Sequence, residues 1–236
     1  MINFYSKACY GFEDLVALVR VLRAPDGCPW DSVQTHNSIR RNFIEEVYET
    51  CEAIDTEDTD GLREELGDVL LHVVFHASIE EDAGHFTIHD VCDTVVKKMI
   101  SRHPSLFGGD ADLDWDELKR REKGQTSLSE ELDSVARSLP ALWRAEKLQT
   151  KAEKSGYPVT PTSRQSASGV SESPDKLRAV GDMLFDTVCL ARKLGVDPEQ
   201  ALNQSCDAFL AQVRRNETGR DIPKIQADTS AQYVKE

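Results

Sequence analysis

The chain has 236 residues, 28 Lys and Arg against 42 Asp and Glu, a net charge of −14 and 39% hydrophobic residues. That length can bury a real core. The acidic balance excludes a broad nucleic-acid partner, because such binding rests on neutralising phosphates with basic residues. A small phosphorylated ligand stays possible, since divalent cations bridge two anions. No apolar run approaches the roughly 18 residues that span a bilayer, so no membrane partner is expected. The first ten residues lack the basic-then-apolar pattern of a signal peptide. The cysteines at 9, 28, 51, 92, 189 and 206 form no C-x-x-C pair. They predict free thiols in a reducing cytoplasm, mostly acting as small buried apolar residues.

Residues 11–23 place Phe12, Leu15, Val16, Val19 and Leu22 at helical spacing. Residues 24–31 (APDGCPWD) hold two prolines and a glycine and predict a loop. Capping chemistry at Asp31, Gln34, Thr35 and Ser38 opens a helix over 35–55 with Ile39, Phe43, Val47, Cys51 and Ile54 as its apolar stripe. A polar turn at 56–61 leads to a third helix over 62–82, which Gly84 ends. Thr87 caps a fourth helix over 88–101, and His103-Pro104 stops it. Further helices are expected over 116–123 and 138–154. Residues 155–174, with six serines and three prolines, read as a linker. A last helical pair follows over 175–195 and 197–215, then a polar tail. No stretch predicts a strand. The fold class is all-α, an antiparallel four-helix bundle followed by a second helical unit.

Leu66-Gly67-Asp68-Val69-Leu70-Leu71 recurs as Val180-Gly181-Asp182-Met183-Leu184-Phe185, 114 residues later. The offset is too long for a solenoid and suggests a duplicated bundle. Ala179 stands where the first copy has Glu65. The predicted divisions are a bundle over 1–110, connecting helices over 111–154, the linker over 155–174, and a degenerate repeat with its tail over 175–236.

The chemistry lies in Glu45-Glu46-Val47-Tyr48-Glu49 and Glu65-Leu66-Gly67-Asp68. On a helix, residues three or four apart share a face. Glu46 therefore joins Glu49, and Glu65 joins Asp68. A short turn makes the two helices antiparallel neighbours, so the acidic pairs can converge. Apolar neighbours such as Phe43 and Leu66 set them beside the seam. Crowded carboxylates repel one another and lose hydration, so either protons or cations must bind. Hard oxygen ligands suit Mg²⁺, with Mn²⁺ as a substitute. Gly67 costs about 1 kcal/mol relative to Ala inside a helix, which predicts close approach of a neighbouring helix or a ligand. A solvated acidic face is the plain alternative in a chain with 42 acids.

Together, E-E-x-x-E and E-x-x-D across a short turn resemble the MazG family of nucleoside triphosphate pyrophosphohydrolases. Gly27-Cys28-Pro29-Trp30-Asp31, Gln34-Thr35-His36, Arg63 to Asp68, Arg102-His103-Pro104 and Ser138 to Leu142 also look like MazG stretches. The resemblance covers 11–154 and returns, degenerate, over 175–210. It implies an all-α fold, a homodimer, Mg²⁺ dependence, and hydrolysis of nucleoside triphosphates to monophosphate and pyrophosphate. By motif position it makes Glu46, Glu49, Glu65 and Asp68 the metal ligands, and Glu45 either an acid that supports those ligands from behind or the base that orients water. It gives Lys98 and Arg102 to the phosphates, with Arg63 and Arg41 behind them, and Trp115 to the nucleotide. The expected role is cytoplasmic nucleotide-pool house-cleaning. The alternative is a catalytically weak relative that works by binding nucleotides or partners.

His72 and His76 are one turn apart and read either as packed polar residues or as support for the metal site. His89-Asp90 is a lone H-D dipeptide, too little for the other class of metal phosphohydrolase. Trp30 reads as a base-stacking group or, more commonly, a plug at the end of the bundle. No P-loop or dinucleotide-binding glycine motif occurs.

Overall fold

In the computed structural model, residues 4, 6–108, 120, 122–160 and 173–218 are described. Among them are nine α-helices, one short 3₁₀ turn and no strand. The expected 116–123 helix, the middle of the 155–174 segment, the polar tail and Trp115 lie largely or wholly outside the described residues. The chain divides into two compact units, 1–113 and 114–236.

In the first unit, α1 (Phe12–Arg23) buries Val16 and Val19. The following loop turns tightly at Gly27, where an added Cβ would collide with the carbonyl oxygens of Val21 and Leu22. The 3₁₀ turn spans Asp31–Val33. Thr35 then caps α2 (His36–Asp55), its hydroxyl accepting from the Ser38 amide. Asp58 caps α3 (Thr59–Asp82), three residues before the expected start, by accepting from the amides of Asp60 and Gly61. Gly84 closes α3 at φ +74°, as a left-handed stop requires. Thr87 and Asp90 form a capping box on α4 (Ile88–Ser101). The His89-Asp90 dipeptide thus belongs to a helix start. One further turn, α5 (Pro104–Phe107), follows His103.

Helix α3 packs against α1, α2 and α4. The core gathers Val16, Val19, Ile39, Val74, Phe75, Ala77 and Ile88. Each large side chain buried there contributes about 1.5–3 kcal/mol. Arg23, whose side chain is 7% exposed, ties α1 to α3. It donates to Ser78 Oγ at 3.1 Å and to Asp82 Oδ2 at 2.6 Å, and lies 5.0 Å above the Phe75 ring. A further bond from Arg23 to the Asp31 carbonyl holds the Cys28-Pro29-Trp30-Asp31 loop.

The inner stripe of α2 differs from the expected one. Ile39, Thr50 and Ala53 are buried, whereas Val47, Cys51 and Ile54 are exposed. Ile39 and Phe43 do share the inner face, but the next inward position, three residues on from Phe43, is Glu46. A carboxylate occupies the seam, and the apolar stripe running from Val47 lies to one side of it. The cysteines also depart from expectation. Cys189 is buried, Cys28 is half-buried and the other four are exposed, all of them free thiols. Among the described residues, no atom lies within 4 Å of a Cβ added at Gly67, so no described neighbouring helix makes the close approach expected there.

In the second unit, Ser127 and Glu130 form a capping box on α6 (Leu128–Asp133). Helix α7 (Ala141–Lys154) starts after Pro140, three residues later than expected, and packs against α6, α8 (Lys176–Lys193) and α9 (Pro198–Thr218). Buried Gln149 donates to the Phe185 carbonyl at 2.8 Å, and Arg192 bonds Thr150, Gln149 and Glu153.

Candidate metal and phosphate site

The turn between α2 and α3 reverses the chain and lays the two helices side by side. Their register is marked by ring contacts from Phe43 to His72 and His76, at 5.8 and 5.6 Å between centroids. Toward the turn, the next facing layers carry Glu46 and Glu49 on α2, and Glu65 and Asp68 on α3. One oxygen from each of Glu46, Glu49 and Glu65 lies within 4.8 Å of the other two. Glu46, Glu65 and Asp68 are half-buried, and Glu49 is exposed.

Electrostatics show the strain of this meeting. Burial pushes the Glu46 carboxyl above its ordinary value, aided by a hydrogen bond with Glu49 and by the charges of Asp68, Glu49 and Glu65. Glu65 is raised too, first by desolvation and then by Glu49, Asp68 and Glu64. Every charged neighbour acting on these two groups is another carboxylate. Asp68 stands outside the tight trio, yet its charge reaches both Glu46 and Glu65. An all-oxygen donor set with uncompensated negative charge, open to water at Glu49, fits a hard divalent cation. Such a cation would relieve the repulsion without protonating the acids.

The other expected residues sit elsewhere. Glu45 turns out of the trio and accepts from Arg41 Nε at 2.9 Å, one turn away on the same helix. Arg63 pairs with Asp60 at 3.1 Å. Lys98 lies in the last turn of α4 and Arg102 caps that helix, both half-buried. His103 holds the Met99 carbonyl at 2.7 Å, as a residue at a helix end does. Trp30 is 58% exposed, not buried as a plug at the end of the bundle would be. Trp115 is outside the described residues.

A polar network beyond the acids was not legible in the sequence. His36 Nε2 donates to Glu80 Oε1 at 2.6 Å, because a carboxylate only accepts. His36 Nδ1 meets His76 Nδ1 at 2.8 Å, and His85 Nδ1 reaches Glu80 Oε2 at 2.7 Å. These contacts join the start of α2 to the far half of α3. Nothing in the spacing of 36, 76, 80 and 85 announces them, since they depend on inter-helix register.

The second copy of the repeat differs in structure where it differs in sequence. Asp182 is exposed and 3.8 Å from Arg178 on its own helix, while Ala179 is buried at 4% exposure. Among the described residues, the trio on α2 and α3 is the one group of this kind.

An all-helical chain with carboxylates converging across a helix pair defines a class that the comparisons identify. The MazG nucleotide pyrophosphohydrolase domain matches residues 34–107, which contain all of α2, α3 and α4. A Thermotoga maritima protein named nucleoside triphosphate pyrophosphohydrolase/pyrophosphatase MazG is 39% identical over 87% of this chain and 85% of its own length. An Escherichia coli K12 protein named nucleoside triphosphate pyrophosphohydrolase is 35% identical over 87% of this chain and 86% of its own. A Bacillus subtilis protein, YabN, is 45% identical over 84% of this chain but 44% of its own length. The chain belongs to the MazG family.

Proposed function

We propose that this protein hydrolyses nucleoside triphosphates to nucleoside monophosphate and pyrophosphate, with Mg²⁺ as its cofactor. The observation that carries the reading is the carboxylate trio within 4.8 Å, whose charged neighbours are all acidic. Glu46, Glu49, Glu65 and Asp68 would hold the cation. Bound there, Mg²⁺ supplies charge neutralisation and Lewis acidity toward the triphosphate. The half-buried seam behind Glu46 keeps the carboxylates fixed, so little reorganisation is needed as charge develops. Glu45, steadied by Arg41, would orient a water toward the α-phosphorus, with pyrophosphate as the leaving group. Lys98 and Arg102 at the end of α4 would offset charge on that leaving group, with Arg63 and Arg41 available at the rim. Trp115 is proposed to meet the nucleotide.

Catalysis is assigned to the first unit, and the degenerate second repeat to packing or assembly. We also propose a homodimer. Val47, Ile54, Leu66, Leu70, Val95 and Ile100 are all exposed apolar residues on α2, α3 and α4, and a second copy would cover such a surface. Sedimentation equilibrium should return twice the chain mass; the mass of a single chain would refute the dimer. No helix among the described residues is long and apolar enough to cross a membrane. The proposed setting is the cytoplasmic nucleotide pool.

The test is incubation of the purified chain with ATP, GTP, CTP and UTP in Mg²⁺, with products separated by ion exchange. Monophosphate and pyrophosphate are expected, and Glu49→Ala or Asp68→Ala should abolish both. Absence of turnover with every ribo- and deoxyribonucleotide would leave only a nucleotide- or partner-binding role.

A further inference from the structure

His72 follows Asp68 by one turn on α3 and lies beneath the carboxylates. Its side chain is 14% exposed, and its Nε2 stands 3.9 Å from Glu46 Oε1. The opposite nitrogen, Nδ1, is buried and has no hydrogen-bond partner. The Phe43 ring packs beside it. A neutral imidazole carries one N–H and one lone pair. Leaving an N–H buried without an acceptor wastes a strong donor, while directing it at a carboxylate does not. The arrangement therefore favours the tautomer with the proton on Nε2, aimed at Glu46, and a bare lone pair on Nδ1. At 3.9 Å the donor falls short of a hydrogen bond, but a small turn of the Glu46 carboxylate would close the gap.

We propose that His72 is a positioning residue for Glu46: its Nε2–H takes one carboxylate oxygen and leaves the other turned toward a divalent cation. This rests on the metal reading of Glu46, Glu49 and Glu65 given above. His76, the other histidine on this face, is engaged by His36 and does not compete for Glu46. A group that fixes a ligand in this way commonly changes metal affinity by about 10–100-fold when removed.

The test uses the full-length protein and Mn²⁺ alone, titrated by calorimetry and by electron paramagnetic resonance, with no nucleotide present. His72→Leu keeps an apolar filling beside Phe43 but removes the donor. It should weaken Mn²⁺ binding at least about tenfold while its melting temperature in EDTA stays at or above that of the natural protein. His72→Gln restores an N–H at similar reach and should bind Mn²⁺ within about threefold of the natural protein. With nucleotide, His72→Leu should raise the Mg²⁺ concentration for half-maximal pyrophosphate release more than it lowers the rate at saturating Mg²⁺. Equal Mn²⁺ affinity in His72→Leu and the natural protein would overturn the proposal. Equal loss in the Leu and Gln variants would overturn it too, because shape rather than donation would then matter. A natural protein that binds no Mn²⁺ would overturn the metal reading first, and this assignment with it.

Discussion

Replacing Glu46 with Gln removes one charge from the crowded site and almost nothing from its shape. In the metal-free protein that charge is a cost. Glu46 and Glu49 oxygens lie within 4.8 Å, and in a water-like dielectric two unit charges at that distance repel by about 0.9 kcal/mol. The water-like value is the right one to use, because Glu49 is exposed and screens the pair. A gain of about 1 kcal/mol raises the melting temperature of a domain of roughly 100 residues by about 4 °C. Glu46→Gln in EDTA at neutral pH should therefore melt about 4 °C above the natural protein, read by circular dichroism. With Mg²⁺ added the order reverses. The natural protein gains by mass action, about 2.7 kcal/mol at a hundredfold excess over Kd, and the variant gains far less. A variant that melts lower than the natural protein in EDTA, and gains equally from Mg²⁺, would refute the claim that these carboxylates are mutually strained and metal-linked.

The same pair sets a pH dependence. A carboxyl whose folded pKa is raised binds its proton more tightly when folded, so it favours folding below the ordinary value of 4.5 and loses that contribution as pH rises through the folded value. The melting-temperature gap between Glu46→Gln and the natural protein in EDTA should widen from pH 4 to 8; a constant gap would contradict the raised pKa. Asp182→Ala should leave pyrophosphate release within about twofold, since Asp182 pairs with Arg178 and, among the described residues, belongs to no cluster like that of Glu46, Glu49 and Glu65; a loss of tenfold or more would place chemistry in the second unit. Arg23→Met should cost about 2 kcal/mol, roughly 8 °C, by removing charged hydrogen bonds between α1, the loop and α3. Urea melts would check it, and a change under 0.5 kcal/mol would show that Arg23 is not a structural tie.

Much of the fold could be read from local chemistry. Thr87 alone, and Thr35 with Ser38, marked two helix starts, because a side-chain cap depends only on residues three apart. Gly84 fixed an end for an equally local reason. The cap formed by Ser127 and Glu130 carried the same signal for α6, but six residues make a weak periodic pattern. What failed was the choice of helix face. Apolar residues of α2 fall on two adjacent stripes, and hydrophobicity alone favoured the one through Val47, Cys51 and Ile54. The stripe that meets α3 passes instead through Glu46 and Thr50, so a carboxylate and a hydroxyl interrupt the apolar seam. The convergence of Glu46, Glu49 and Glu65 followed from i,i+3 spacing and a short turn. The turning of Glu45 toward Arg41, the exclusion of Asp68 from the tight trio, and the histidine contacts around Glu80 depend on rotamers and register, which spacing does not encode. Gly67 shows the same limit: its place in a helix suggested a close neighbour, yet none of the described residues lies against it.

The central claim is that acids on α2 and α3 hold a divalent cation against a triphosphate. Anomalous diffraction from a crystal grown with Mn²⁺ and a non-hydrolysable nucleoside triphosphate tests it most directly. The account predicts a peak about 2.1–2.6 Å from oxygens of Glu46, Glu49, Glu65 and Asp68, with the phosphates alongside. Ordered nucleotide with no peak there, or a peak bound to other side chains, would contradict it.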